Sequence, residues 1–296
     1  MLYSILSRST IFTLMLLPVL GAPAPVFAQS DEAIEASRRV NIAGRQRMLS
    51  QRMSKAACFI SSGVNVDLHF DMLSDSFSLF SASHDALRSG DVDIGLNAET
   101  NAVVLNALRT VDRRWQEFSP EVQAIISSGI GTQENTLAIG KSGLSVLRDM
   151  NSAVGIIART YGDLLEDMPL IQSITIDLAG RQRMLTQKAA KEFCLIDSGI
   201  YAEVNRENLT ETILNFSNTL DALINGLTGF VMAPPSEQVF DKLIEVETAW
   251  VAPYEVLARV ADGDEITDED RQLIAEQIDN VLTLMNQAVG MYELGP

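Results

Sequence analysis

Apolar residues recur along the chain at spacings of three, four and seven, and no segment sustains period-two alternation. That spacing predicts helices throughout and no strands. Turn signals fall at Ser61-Ser62-Gly63, Arg88-Ser89-Gly90-Asp91, Ser128-Gly129-Ile130-Gly131, Asp197-Ser198-Gly199, Asn225-Gly226 and Ala261-Asp262-Gly263-Asp264. They divide the pattern into segments of roughly 20 to 35 residues, four in each half of the chain. The last segment opens with Thr267-Asp268-Glu269-Asp270, a capping box with an acid at the third helical position. The acid-rich string from Asp262 to Asp270 lacks the ligand spacing of a calcium loop.

The first helix carries two faces. At about 100° per residue, Ile42, Leu49, Met53 and Ile60 share one stripe, which predicts contact with the core of its own bundle. The opposite stripe holds Val40, Gly44, Arg47, Gln51, Ser54 and Cys58. Its small, weakly polar residues suit close approach by another helix better than exposure to water.

That helix occurs twice. Ala43–Leu49 reads AGRQRML, and so does Ala179–Leu185, 136 positions later. The match extends from Asn41–Arg52 to Asp177–Lys188, and Cys194 follows at the same distance as Cys58. Further along, Phe80 corresponds to Phe216, Trp115 to Trp250, and Met150-Asn151 to Met285-Asn286. A repeat of this length is a duplicated domain rather than a solenoid unit. The core stripe recurs as Leu178, Leu185, Ala189 and Ile196, and the outer stripe as Ile176, Gly180, Arg183, Gln187, Ala190 and Cys194.

The expected fold class is all-α: two tandem up-down four-helix bundles packed side by side as an intramolecular pseudo-dimer. The expected divisions are a signal peptide over 1–28, one bundle over 29–166 and a second over 170–296. Proline disfavours helix in the residue before it, so Pro169 predicts a turn that makes the two first helices parallel neighbours. A helix passing through Pro169 with only a kink would stack the bundles end to end. Facing outer stripes in a pseudo-symmetric contact bring Arg47 near Arg183 and Cys58 near Cys194.

Composition narrows the setting. Arg8 is the only charge in residues 1–28, Ile11–Leu20 is apolar, and Val26-Phe27-Ala28 predicts cleavage before Gln29. A retained anchor helix is the alternative, but Pro18, Pro23 and Pro25 interrupt the stretch. The exported chain is expected to be soluble and periplasmic, with no later segment suited to span a membrane. The full chain has 39 Asp and Glu against 22 Lys and Arg, which argues against nucleic acid as a partner. Ten of the basic residues nevertheless lie in the two repeated helices: Arg38, Arg39, Arg45, Arg47, Arg52, Lys55, Arg181, Arg183, Lys188 and Lys191. Two facing guanidiniums suit a small oxyanion or carboxylate between them. Cys58 and Cys194 are either buried thiols or a disulfide, and a bridge needs Cα atoms within about 7 Å. His69 and His84 have no partner at ligand spacing and read as packing or surface residues, while Trp115 and Trp250 read as core. No nucleophile–base pair, metal cluster or phosphate-binding glycine loop occurs, so neither enzymatic activity nor a cofactor is expected.

The repeated phrase resembles that of known sensors. Asn41-x-Ala43-Gly44-x-x-Arg47-Met48 resembles the P-box of NarX-type nitrate/nitrite sensor kinases, and the fuller Ala43–Arg52 resembles the PilJ-type N-terminal domain of type IV pili methyl-accepting chemotaxis transducers. The resemblance covers both repeats. It implies a periplasmic four-helix sensor domain in which the arginine three after the glycine binds the ligand at a dimer seam. By position those are Arg47 and Arg183, with Gly44 and Gly180 giving backbone access. Arg45 and Arg181 are also candidate ligand-binding residues, but they stand where the NarX-type box usually lacks an arginine, so the anion is not specified. Related receptors carry membrane helices and a kinase or methyl-accepting module. Residues up to Pro296 contain neither, so the expected partners are a small anionic ligand and a membrane receptor or sensor kinase. Two other readings stay open: a structural or adaptor bundle without ligand, and a redox-responsive protein using Cys58 and Cys194.

Overall fold

The computed structural model describes residues 31–162 and 170–294. The expected leader with its cleavage site, the turn at Pro169 and the terminal Pro296 lie outside the described residues. Eight helices follow in order: α1 (Asp31–Ser61), α2 (Val66–Ser89), α3 (Ala102–Ser128), α4 (Gln133–Thr160), α5 (Leu170–Asp197), α6 (Ala202–Asn225), α7 (Glu237–Ala261) and α8 (Asp268–Leu294). Helices α1–α4 form one up-down bundle and α5–α8 another, with α1 packed along α5. Among the described residues there are no strands, only isolated bridges at Asp91–Leu96 and Leu227–Val231 where α2 and α6 turn back.

Local chemistry sets the helix ends. Asn101, Thr132 and Ser236 cap α3, α4 and α7 by accepting hydrogen bonds from backbone amides of the first turn. The capping box forms: the Asp270 amide donates to Thr267 Oγ1 at 3.2 Å, and the Thr267 amide donates to Asp270 Oδ2 at 3.0 Å. Helices α1 and α5 end in the same Schellman motif. The Val64 amide donates to the Phe59 carbonyl and the Gly63 amide to the Ile60 carbonyl, matched by Ile200 to Leu195 and Gly199 to Ile196. Gly63 and Gly199 hold the required left-handed conformation at φ 73° and 70°.

The predicted core stripe of α1 is inside: Ile42, Leu49, Met53 and Ile60 are buried in the first bundle with Phe80, Leu108, Phe118 and Met150. Each fully buried side chain of this size contributes about 1.5–3 kcal/mol. Ala189 and Ile196 are buried in the second core, while Leu178 and Leu185 are only partly buried against it. Trp250 is buried against Phe216, its ring centroid 4.2 Å away, and Trp115 lies at the edge of the first core, 4.2 Å from Phe80. The cores interlock. Cys58, Phe59 and Val64 contribute to the second, whereas Met184 and Leu282 contribute to the first. His69 is fully buried and stacks on Phe59 at 4.7 Å, and His84 is buried with Nε2 2.8 Å from Asp112.

The repeats lie side by side with α1 and α5 parallel, as equivalent residues on the two helices show. Cys58 and Cys194 are disulfide-bonded across the seam, with Cα atoms 6.1 Å apart. The outer stripe of α1 is shared between two neighbours. Gln51 donates to the Gly143 carbonyl of α4, and a Cβ on Gly143 would come within 2.5 Å of Ser54 Oγ, so α4 also needs a small residue there.

A buried ion pair ties the bundles together. Lys55 Nζ, with its side chain fully buried, lies 2.6 Å from Asp279 Oδ2 on α8. Burial pushes the Asp279 carboxyl up, but Lys55, Arg52 and Gln187 outweigh it and hold the pKa below the ordinary carboxylate value. Lys55→Ala should cost about 2–4 kcal/mol in urea unfolding, because it takes the nearest cation from a largely buried carboxylate. The paired replacement Lys55→Met with Asp279→Leu should recover most of the loss. An unchanged midpoint in the single variant would contradict the pair's structural role.

Candidate functional site

The arginines predicted to face each other are both buried at the α1–α5 seam, with Arg47 3 % and Arg183 7 % exposed. Each curls back along its own helix. Arg47 Nε donates to the Gly44 carbonyl and Arg183 Nε to the Gly180 carbonyl, both at 3.3 Å. A Cβ on either glycine would meet the guanidinium Nη2 at 3.4 Å. The glycines thus meet the arginines themselves, leaving room for the folded-back side chain.

Two further contacts of each guanidinium correspond, with one substitution. Arg47 Nη1 donates to Asn151 Oδ1 at 3.5 Å, and Arg183 Nη1 donates to Asn286 Oδ1 at 3.4 Å. Across the seam, Arg183 Nη2 donates to Asn41 Oδ1 at 3.2 Å, while Arg47 Nη2 meets the Asp177 carboxylate at 3.0 Å. Asn41 and Asp177 are equivalent positions, so a carboxamide in one repeat corresponds to a carboxylate in the other. Asp177 also accepts from Arg181 Nε at 2.7 Å. Burial lowers the Arg47 pKa below its ordinary value and the Asp177 charge opposes that shift. An arginine stays cationic at neutral pH in either case.

These residues line one cavity of about 390 Å³. Arg47, Arg183, Gly44, Gly180 and Arg181 all contribute to its wall, together with Asp177, Asn41 and Asn151. Arg45 is half-buried and is not among the described residues of that wall. The cluster of basic residues in α1 and α5 is largely engaged by the chain's own acceptors. Arg39 pairs with Glu35 and Glu99, Lys188 with Glu192, and Lys55 with Asp279. Sequence reasoning missed Asp177, Asn151 and Asn286. The mismatch of Asn41 with Asp177 in otherwise matching helices was the available signal for the first, and the repeated Met-Asn pair for the others.

Among the described residues no group of three or more His, Cys, Asp or Glu could hold a metal ion. No helix among them is long and apolar enough to cross a membrane. Two interlocked four-helix bundles thus meet at one seam with a cavity between them. The family model for the N-terminal domain of type IV pili methyl-accepting chemotaxis transducers, PilJ, matches residues 29–138 and again 172–287. The chain belongs to that family and holds two copies of its domain, a domain of the sensor and signalling type. No curated protein matches it.

Lys191 gives this seam a pH signature. It is buried, donates to Gln51 Oε1 at 2.9 Å, and burial pulls its pKa from 10.5 down to about 8. The folded state therefore loses this proton near pH 8 while the unfolded chain keeps it to about 10.5, so the contribution of Lys191 to stability rises with pH between the two. The gain should be on the order of 3 kcal/mol. Unfolding midpoints at pH 7 to 10 should rise more in the native chain than in Lys191→Met. Parallel profiles would contradict the shift.

Proposed function

We propose that this chain is an exported, periplasmic sensor-type protein that captures a small anionic group in the cavity between α1 and α5 and acts through a membrane receptor or sensor kinase. The observation that carries this reading is the convergence of Arg47 and Arg183, equivalent in the two repeats, on one cavity. Arg181 adds a third guanidinium to that wall, against the single carboxylate of Asp177 among the described residues. The excess of positive charge among these described residues, in a partly enclosed site, favours an anion. The second reading, a bundle that needs no ligand, is favoured by Asp177 itself, which already fills the place of an anion beside Arg47.

Calorimetry separates the two. Under the sensor reading nitrate, nitrite or a small carboxylate binds the purified chain. Replacing Arg47 or Arg183 by Ala weakens binding by roughly 10- to 100-fold, the worth of a charge-assisted hydrogen bond. Asp177→Asn, which restores the Asn41-like residue, tightens it. Under the structural reading none of these anions binds to any of the proteins, and Asp177→Asn only lowers stability.

A further inference from the structure

The cavity says more about the ligand than its charge. A four-atom oxyanion would fill a small part of 390 Å³, a volume within the range of sites for organic molecules, about 300 to 1,000 Å³. Away from the guanidiniums the wall is aliphatic, made by Val40 of α1, Val154 and Ala158 of α4, Ile174 and Ile176 of α5, and Val289 of α8. Water in such a space gains few hydrogen bonds, so an apolar body displaces it favourably. Among the described residues the wall is also lopsided. Among the described residues α4 supplies Asn151, Val154, Gly155 and Ala158, while its counterpart α8 supplies only Val289. An anion on the pseudo-two-fold axis has no use for this extension, whereas an asymmetric molecule does.

Resting on the reading of this cavity as an anion site, we infer that its ligand is an organic carboxylate with an apolar body. The carboxylate sits among the guanidiniums beside Asp177. The body runs along the α4 side between Val154, Ala158 and Ile176. Arg47, Arg181 and Arg183 supply charge, the aliphatic wall supplies affinity, and Asp177 limits the head to a singly charged group.

Calorimetry on the purified chain with nitrate, acetate, butyrate, hexanoate and 1-hexanol tests this. Affinity should rise by roughly three- to fourfold per added methylene from acetate to hexanoate, the worth of burying each group. Hexanol should bind more weakly than hexanoate. Ala158→Trp, which fills the apolar end, should remove the gain with length, with circular dichroism showing that the helices persist. The ligand series on the native chain stands as a test even if that variant does not fold. Nitrate or acetate binding as tightly as hexanoate would overturn the inference while leaving the anion site intact. Hexanol matching hexanoate, or no binding by any compound, would overturn both.

Discussion

Two guanidiniums are buried at the seam between α1 and α5, and the rest of the molecule is arranged around meeting that cost. A buried arginine stripped of partners is strongly destabilising, so each must be hydrogen-bonded from several directions. Gly44 and Gly180 let the side chain fold back to a carbonyl of its own helix. Asn151 and Asn286 receive it from the fourth helix of its own bundle. Asn41 and Asp177 receive it from the other repeat. The last of these contacts cannot form unless the bundles lie side by side in register. The same requirement brings Cys58 against Cys194 and Lys55 against Asp279.

Duplication within one chain frees the copies to differ, and some of the differences fall at this seam. Asp177 replaces the amide of Asn41 with a charge. Lys55 has the Asp279 carboxylate, while its equivalent Lys191 has Gln51, because the position matching Asp279 is Leu144, an exposed residue. At the start of the repeated helices, Arg39 donates to the carbonyls of Leu87 and Asn97, where Thr175 accepts from the Met232 amide instead. A symmetric homodimer could not make these one-sided choices.

The helices, their turns and the duplication were legible because each is encoded locally, in period, in glycine and cap positions, and in direct self-similarity. The outward placement of Arg47 and Arg183 was legible because a wheel fixes angles within one helix. The partners they meet were not. Asn151 is 104 positions from Arg47, and Asp279 is 224 from Lys55. Nothing in the periodicity of α8 says that an acid there will face a lysine from the other repeat. The two cysteines were left between thiols and a bridge, since spacing alone gives no Cα separation. Leu178 and Leu185 lie on the stripe expected to face the core and are only half-buried, because the seam and the core of α5 share those positions.

The most direct test of this account is a peptide map of the chain purified without reductant, resolved by mass spectrometry. Side-by-side parallel packing places Cys58 and Cys194 with Cα atoms 6.1 Å apart, within bridging range. The account predicts one species in which the Cys58 peptide is joined to the Cys194 peptide of the same monomeric chain. Two free thiols, or Cys58 joined to Cys58 of a second chain, would contradict the register on which both the arginine seam and its cavity depend.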